Sequence, residues 1–285
     1  VTFDFESLRF SFVARDAIHF PEVMPANILR GAFGLLLRKA ACHCSVSGSH
    51  SADCVYARLF EPTAIAAGPS GLRDWPRPFV FRARHLDGRT VEPGERFHFE
   101  MNVFEIRIPV NHQLQAAFSQ LSEDGLGPTR GHADLERLQR QKISLDLKPS
   151  APAVNAVAIE FLTPTELKGG EELISRPEFP VLLARVRDRL STLRSLYGPG
   201  PLDIDFAGMT ARASDISMGH CEIRQAQTTR RSSRTGRHHP LGGFIGAAEY
   251  RGSLAEFLPF LEAAQWTGVG RQTVWGKGEL SVRAL

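Results

Sequence analysis

From residue 3 onward apolar and polar positions alternate: Phe3 and Phe5, then Leu8, Phe10 and Phe12 after a phase slip near Ser7. A period of two is that of a strand with one buried face, and the slip predicts a bulge. Beyond Pro21 and Pro25 the period changes. Ile28, Leu29, Ala32, Phe33, Leu36, Leu37 and Ala40 share one helical face, with Arg30, Arg38 and Lys39 largely opposite. This predicts an amphipathic helix over 26–41. Phe97, Phe99, Met101 and Val103 alternate again, and Phe104, Ile106, Ile108 and Val110 continue in the other phase, as one long strand or two short ones. Asn111 is placed to cap a short helix carrying Leu114, Ala117, Phe118 and Leu121. Residues 122–152 hold Gly125, Gly127, Gly131, many charges, Pro149 and Pro152, and read as a loop and linker with a domain boundary near 150.

The second half parses more simply. Val154 to Leu162 reads as a strand stopped by Thr163-Pro164. Leu183, Val186, Leu190, Leu193 and Leu196 define a helix from Pro180 to Tyr197, ended by Gly198-Pro199-Gly200. Strands are predicted over Glu222–Thr229 and Gly243–Arg251, flanking a polar basic loop. Ser253 and Glu256 form a capping box for a helix through Ala264, and Glu279–Ala284 is a last strand. The order β-α-β-β-α-β is ferredoxin-like. The first half reads as a looser copy of that unit with insertions. The expected fold is therefore α+β, with tandem ferredoxin-like (RRM-like) domains over 1–150 and 151–285.

Composition narrows the class. No apolar run reaches the ~18 residues of a membrane span, and no secretory pattern opens the chain, so a soluble cytoplasmic protein is expected. Net charge is only +3, but the basic residues are five lysines against 29 arginines. That bias fits either a GC-rich genome or a phosphate-bearing partner, since a guanidinium is a planar fork of donors. Residues 223–248 bring the arginines together: Arg224, Arg230, Arg231, Arg234 and Arg237, then His238 and His239, with no acidic residue between. Such a hairpin either tracks RNA phosphates or is a solvated loop.

Two further segments carry candidate chemistry. Gly268-Val269-Gly270-Arg271-Gln272-Thr273-Val274-Trp275-Gly276-Lys277-Gly278 holds two G-x-G triplets with a basic residue beside each. Exposed glycine N–H groups with Arg271 and Lys277 make a phosphate cradle, against the plainer reading of a glycine-rich hairpin. A dinucleotide turn is excluded because only seven residues follow Gly278. Cys42, Cys44, His50 and Cys54 offer three thiolates and an imidazole, the donor set of a tetrahedral structural zinc; the alternative is free thiols at a helix end.

The doubled G-x-G near the C-terminus resembles the glycine-rich loop of the RAMP superfamily of CRISPR proteins. Ser232-Ser233-Arg234-Thr235-Gly236, Pro240-Leu241-Gly242-Gly243-Phe244-Ile245-Gly246 and Thr163-Pro164-Thr165 are similar to segments of its repeat-RNA-processing endoribonucleases. So are Leu29-Arg30-Gly31-Ala32-Phe33-Gly34 and Tyr56-Ala57-Arg58-Leu59-Phe60-Glu61-Pro62. The resemblance implies two ferredoxin-like domains and metal-independent cleavage of CRISPR repeat RNA, a 2′-hydroxyl attacking its own phosphate to leave a 2′,3′-cyclic phosphate and a 5′-hydroxyl. No cofactor is expected for that step. The resemblance also implies an acid–base histidine near the first helix of the N-terminal domain. His43 is the choice there, with His50 and His19 as alternatives, and His239 beside His238 is the choice on the basic hairpin. Arg30, Arg271 and Lys277 are the expected phosphate stabilisers, with Arg230, Arg231, Arg234, Arg237, His238, Gly268, Gly270, Gly276 and Gly278 completing the RNA surface. Expected partners are repeat or guide RNA and other CRISPR effector subunits, the chain itself being a monomer or homodimer. The competing functions are a non-catalytic RAMP subunit that holds guide RNA, and a zinc-stabilised adaptor unrelated to RNA.

Overall fold

A computed structural model describes residues 1–44, 50–62, 75–149, 153–226, 229–231, 238–240 and 242–285. Its contacts separate two compact units: Asp4–Ile143 with Leu196–Pro199, and Val1–Phe3 with Ser144–Ser195 and Gly200–Leu285. Among the described residues no helix is long and apolar enough to cross a membrane.

In the first unit β1 (Thr2–Ala14) leads through the short β2 (Ile18–His19) to α1 (Pro25–Ala41) and α2 (Val55–Phe60). Then come β3 (Phe79–Arg82), β4 (Thr90–Val91), β5 (Arg96–Val103), α3 (Asn111–Ser119), α4 (Leu121–Asp124) and β6 (Ala133–Asp146). The sheet order β3-β5-β1-β6 is the ferredoxin-like arrangement, and β2 pairs with β4 in a small ribbon. Phe10 and Phe12 of β1 and Phe97 and Phe99 of β5 point inward against α1 and α3. The core is an aromatic cluster. Phe118 meets Phe10 at 4.5 Å and stacks on Phe33 at 5.3 Å. Phe33 also meets Phe79 edge-on at 5.1 Å. Phe118→Ala is expected to cost about 3–5 kcal/mol in urea unfolding, because so rigid a cluster cannot close over the cavity.

The second unit repeats the topology. It runs β7 (Ala156–Thr165), the ribbon β8 (Lys168–Gly169) and β9 (Glu172–Leu173), α5 (Phe179–Tyr197) and α6 (Phe206–Ala213). It continues with β10 (Ser217–Ala226), β11 (Thr229–Arg231), β12 (His238–Pro240), β13 (Gly243–Arg251), α7 (Leu258–Thr267) and β14 (Leu280–Ala284). The order β10-β13-β7-β14 matches the first sheet position for position. The protein is thus two tandem ferredoxin-like domains.

Several local expectations are corrected. Residues 133–146, read as loop, form β6. It is an edge strand with Ala133 alone buried, so it lacks the alternation that betrays a strand. Charged side chains on such an edge discourage pairing with another chain. The alternation from Phe104 to Val110 is not a strand. The fully buried carboxylate of Glu105 accepts the Arg107 N–H at 2.8 Å and turns the chain there. Asn111 lies inside α3 rather than capping it, and its amide donates to Glu6 at 2.7 Å. The strand β7 continues through Pro164, because a register irregularity against β13 leaves the proline nitrogen without a ladder bond to make. The helix expected from Ser253 starts at Leu258, since Glu256 is engaged by Arg212 at 2.5 and 2.7 Å instead of closing a capping box. The β1–β5 register runs unbroken from Glu6 to Val13, so the slip near Ser7 is not a bulge on that side.

Candidate functional site

The glycine-rich loop connects α7 to β14 and is clamped by the end of β7. Arg271 N–H donates to Glu166 O at 3.1 Å and Gly278 N–H to Pro164 O at 3.1 Å, while Thr163 Oγ1 accepts Glu279 N–H at 2.9 Å. The Thr163-Pro164-Thr165 segment is therefore the loop's partner. Two glycines are required by close approach. At Gly270 a Cβ would lie 2.2 Å from Glu166 O, and at Gly278 1.9 Å from Val269 O, both residues having positive φ. The N–H groups of Gly268, Val269 and Gly276 are also used inside the chain. An open cradle of N–H groups is thus not what the loop presents.

Its two cations are placed differently. The Lys277 ammonium is fully buried, 2.6 Å from Gly242 O, 3.1 Å from Gln272 Oε1 and 3.1 Å from Glu166 Oε2. Burial lowers its pKa, against the opposing pull of Glu166. Arg271 is half exposed and 3.5 Å from the same carboxylate. Glu166 thus holds one cation inside as a strut and one outside, where a phosphate can reach it.

On the basic hairpin, Arg230 pairs with His239 and Arg231 with His238 across β11 and β12. Arg234, Arg237 and the Ser232–Gly236 segment lie outside the described residues. The adjoining Gly243 and Gly246 have positive φ, and a Cβ would strike Thr165 backbone at 2.6 Å and Glu222 O at 2.2 Å. Arg30, on α1, lies with its guanidinium 4.7 Å over the Phe60 ring.

The donor atoms of Cys42, Cys44, His50 and Cys54 lie within 4.8 Å of one another, between the end of α1 and the start of α2. His50 Nδ1 is 3.6 Å from Cys42 Sγ and 3.5 Å from Cys54 Sγ. Zn–S of ~2.3 Å and Zn–N of ~2.0–2.1 Å at a tetrahedral angle give an S···N edge of about 3.6 Å, so these spacings fit zinc. Behind the imidazole, His50 Nε2 is 3.6 Å from Glu61, which also accepts the Tyr56 hydroxyl at 2.8 Å. A carboxylate behind a ligating histidine fixes its ring. Bonding to the Ser51 backbone holds the Cys44 thiol down at about 6, whereas burial pushes Cys54 up to about 11. His43 is exposed between two of these cysteines, and among the described residues nothing holds its ring.

Two arrangements escaped the sequence reading. Asp16 holds His132 on the first domain, 116 residues away in sequence. On the outer face of the same sheet His98 stacks on His85 at 4.4 Å, and burial pushes its pKa from 6.5 down to about 4, helped by His85, Arg9 and Arg89. Glu100 lies 3.6 Å from His98 Nε2. Because the folded pKa lies below the unfolded one, the unfolded chain binds the extra proton between them. Stability is expected to fall as pH drops from about 6.5 towards 4, and His98→Gln should flatten that slope in thermal melts taken across the range.

Comparison with solved structures supports the fold. Thermus thermophilus Cas6 is 17% identical, with 99% of each chain covered and a TM-score of 0.57. A product complex of the same Cas6 is also 17% identical, covering 98% of this chain and all of that one at a TM-score of 0.61. A partial Cas6-RT-Cas1–Cas2 complex is 13% identical over 99% of this chain and 46% of that one, at 0.61. None of the curated proteins compared matches. Residues 3–150 match the AF_1859_N family, described as an N-terminal domain, and residues 159–280 match the CRISPR-associated endoribonuclease Cas6 family. On a fold of two ferredoxin-like units, the N-terminal half thus carries an AF_1859_N domain and the C-terminal half a CRISPR-associated endoribonuclease Cas6 domain.

Proposed function

We propose that the protein cuts CRISPR repeat RNA once per repeat by attack of a 2′-hydroxyl on the adjacent phosphate, with no metal in the chemical step. The observation that carries this reading is the Cas6 endoribonuclease match over 159–280, which spans the basic hairpin and the glycine loop together. The hairpin, through Arg230, Arg231, Arg234, Arg237 and His238, grips an A-form stem by its phosphates. Arg271 contributes from the loop. Gly268, Gly270, Gly276, Gly278 and the buried Lys277 shape the backbone that presents it, and Arg30 serves on the first domain. The chemistry needs a base at the 2′-oxygen, an acid at the leaving 5′-oxygen and cations for the phosphorane charge. His43 and His239 are one proposal for the acid and base.

Cys42, Cys44, His50 and Cys54 hold a structural zinc, whose donors are consumed by the protein and which leaves no open position for substrate. The place of action is the cytoplasm, where other CRISPR proteins are the partners, as in the Cas6-RT-Cas1–Cas2 assembly that shares this fold. Product ends test the reading. The 5′ fragment should end in a 2′,3′-cyclic phosphate, and the 3′ fragment should accept a kinase-added phosphate without prior treatment. RNA bound tightly yet recovered intact would assign a guide-holding role instead.

A further inference from the structure

Two histidines of the first domain, the exposed His19 and the half-exposed His132, share an arrangement seen at no other imidazole whose side chain is described. Each has Nδ1 anchored and Nε2 without a protein partner. His132 Nδ1 is 2.5 Å from Asp16 Oδ2, and the same oxygen accepts the His132 backbone N–H at 3.1 Å. The His132 carbonyl closes the link by accepting Arg15 N–H at 2.8 Å. His19 Nδ1 is 3.0 Å from Thr90 Oγ1, across the β2–β4 ribbon. By contrast, Nε2 of His85 is bonded to the His98 carbonyl, and those of His98 and His220 face Glu100 and Glu222.

The two imidazoles are carried on adjoining segments. A Cβ on Gly131 would lie 2.7 Å from Ala17 O and 2.6 Å from Ile18 Cγ1, so this glycine lets the chain before His132 rest on the strand that bears His19. Gly127 lies against the His19 carbonyl, its Cβ position 3.8 Å away. Arg15, paired with Asp134 at 3.4 Å, and Arg130 are both exposed beside Asp16 and His132.

We infer that His132, oriented by Asp16, and His19, oriented by Thr90, are the acid–base pair of the ribonuclease reaction, in place of His43 and His239. The inference rests on the nuclease reading. Neutral His132 takes the 2′-hydroxyl proton on Nε2 as the 2′-oxygen bonds to phosphorus. The P–O5′ bond breaks, its electron pair leaves on O5′, and that oxygen takes the Nε2 proton of protonated His19. The products are the cyclic phosphate and the 5′-hydroxyl, and solvent restores the two protonation states. Asp16 acts through His132 as a positioning residue, its own carboxyl held below the usual range by the hydrogen bonds from His132.

Single-turnover cleavage of repeat RNA tests this. His132→Ala and His19→Ala should each slow cutting by about 100-fold or more, the usual loss for a missing acid or base. RNA affinity and melting temperature should stay at wild-type values, and His112→Ala should cut normally. Added imidazole should partly restore His132→Ala. A substrate with sulfur in place of the leaving 5′-oxygen, which needs no acid, should rescue His19→Ala but not His132→Ala. Asp16→Asn should slow cutting with RNA affinity unchanged. Wild-type rates in His132→Ala and His19→Ala, or slow rates that neither imidazole nor the sulfur substrate rescues, overturn the assignment while leaving the nuclease reading intact. A wild-type protein that cuts no repeat RNA overturns the nuclease reading itself, and this pair with it.

Discussion

Arg58→Ala is expected to lower the stability of the first domain by about 3–5 kcal/mol, the loss seen when one partner of a buried ion pair is removed. Arg58 lies in the Tyr-Ala-Arg-Leu-Phe segment of α2, and its guanidinium binds the Glu105 carboxylate. That carboxylate is fully buried and also accepts the Arg107 and Ile108 N–H groups, so it fixes the turn after β5. Without Arg58 the negative charge stays buried beside the Arg107 and Ile108 N–H donors with its guanidinium partner gone. Urea unfolding should show an early midpoint for Arg58→Ala. The double variant with Glu105→Gln, which keeps an acceptor but no charge, should recover part of the loss. An unchanged midpoint for the single variant would mean that the pair contributes nothing to the fold.

The second large effect concerns the cysteine cluster. The purified protein is expected to carry one zinc per chain, and Cys54→Ser to lose it. Zinc binding in finger peptides is worth about 10–16 kcal/mol, all of it available to the folded form. If about 3 kcal/mol of that reaches global unfolding, metal loss lowers Tm by about 5 °C in a protein of this size. The damage should centre on the α1–α2 connection, read as lost hydrogen-exchange protection at Arg58, whose N–H donates to Cys54 O. A metal-free preparation whose melting is unaffected by Cys54→Ser would contradict the site and leave the cluster as free thiols.

What the sequence made legible followed burial. Helices with one apolar face, such as α1 and α5, emerged with ends close to those observed. The polar edge strand β6 did not, because a strand exposed along most of its length has no alternation to read. The Cys42, Cys44, His50 and Cys54 cluster was legible because its residues lie within thirteen positions. The roles of Lys277 and Glu166 were not, since a buried ammonium and an exposed one look identical until β7 is placed against the loop. The same holds for Asp16 and His132, whose pairing exists only once β1 and β6 are neighbours.

The central claim, cleavage of repeat RNA by its own 2′-hydroxyl without a catalytic metal, is tested most directly with labelled repeat RNA. The assay contains EDTA, exposure is brief enough that the zinc content of the protein is unchanged, and the nucleotide at the cut site carries either a 2′-hydroxyl or a 2′-hydrogen. The account predicts a single cut that persists in EDTA and disappears with the deoxy substitution. Cleavage of the deoxy RNA, or activity that vanishes in EDTA and returns with a divalent cation while zinc stays bound, would contradict it.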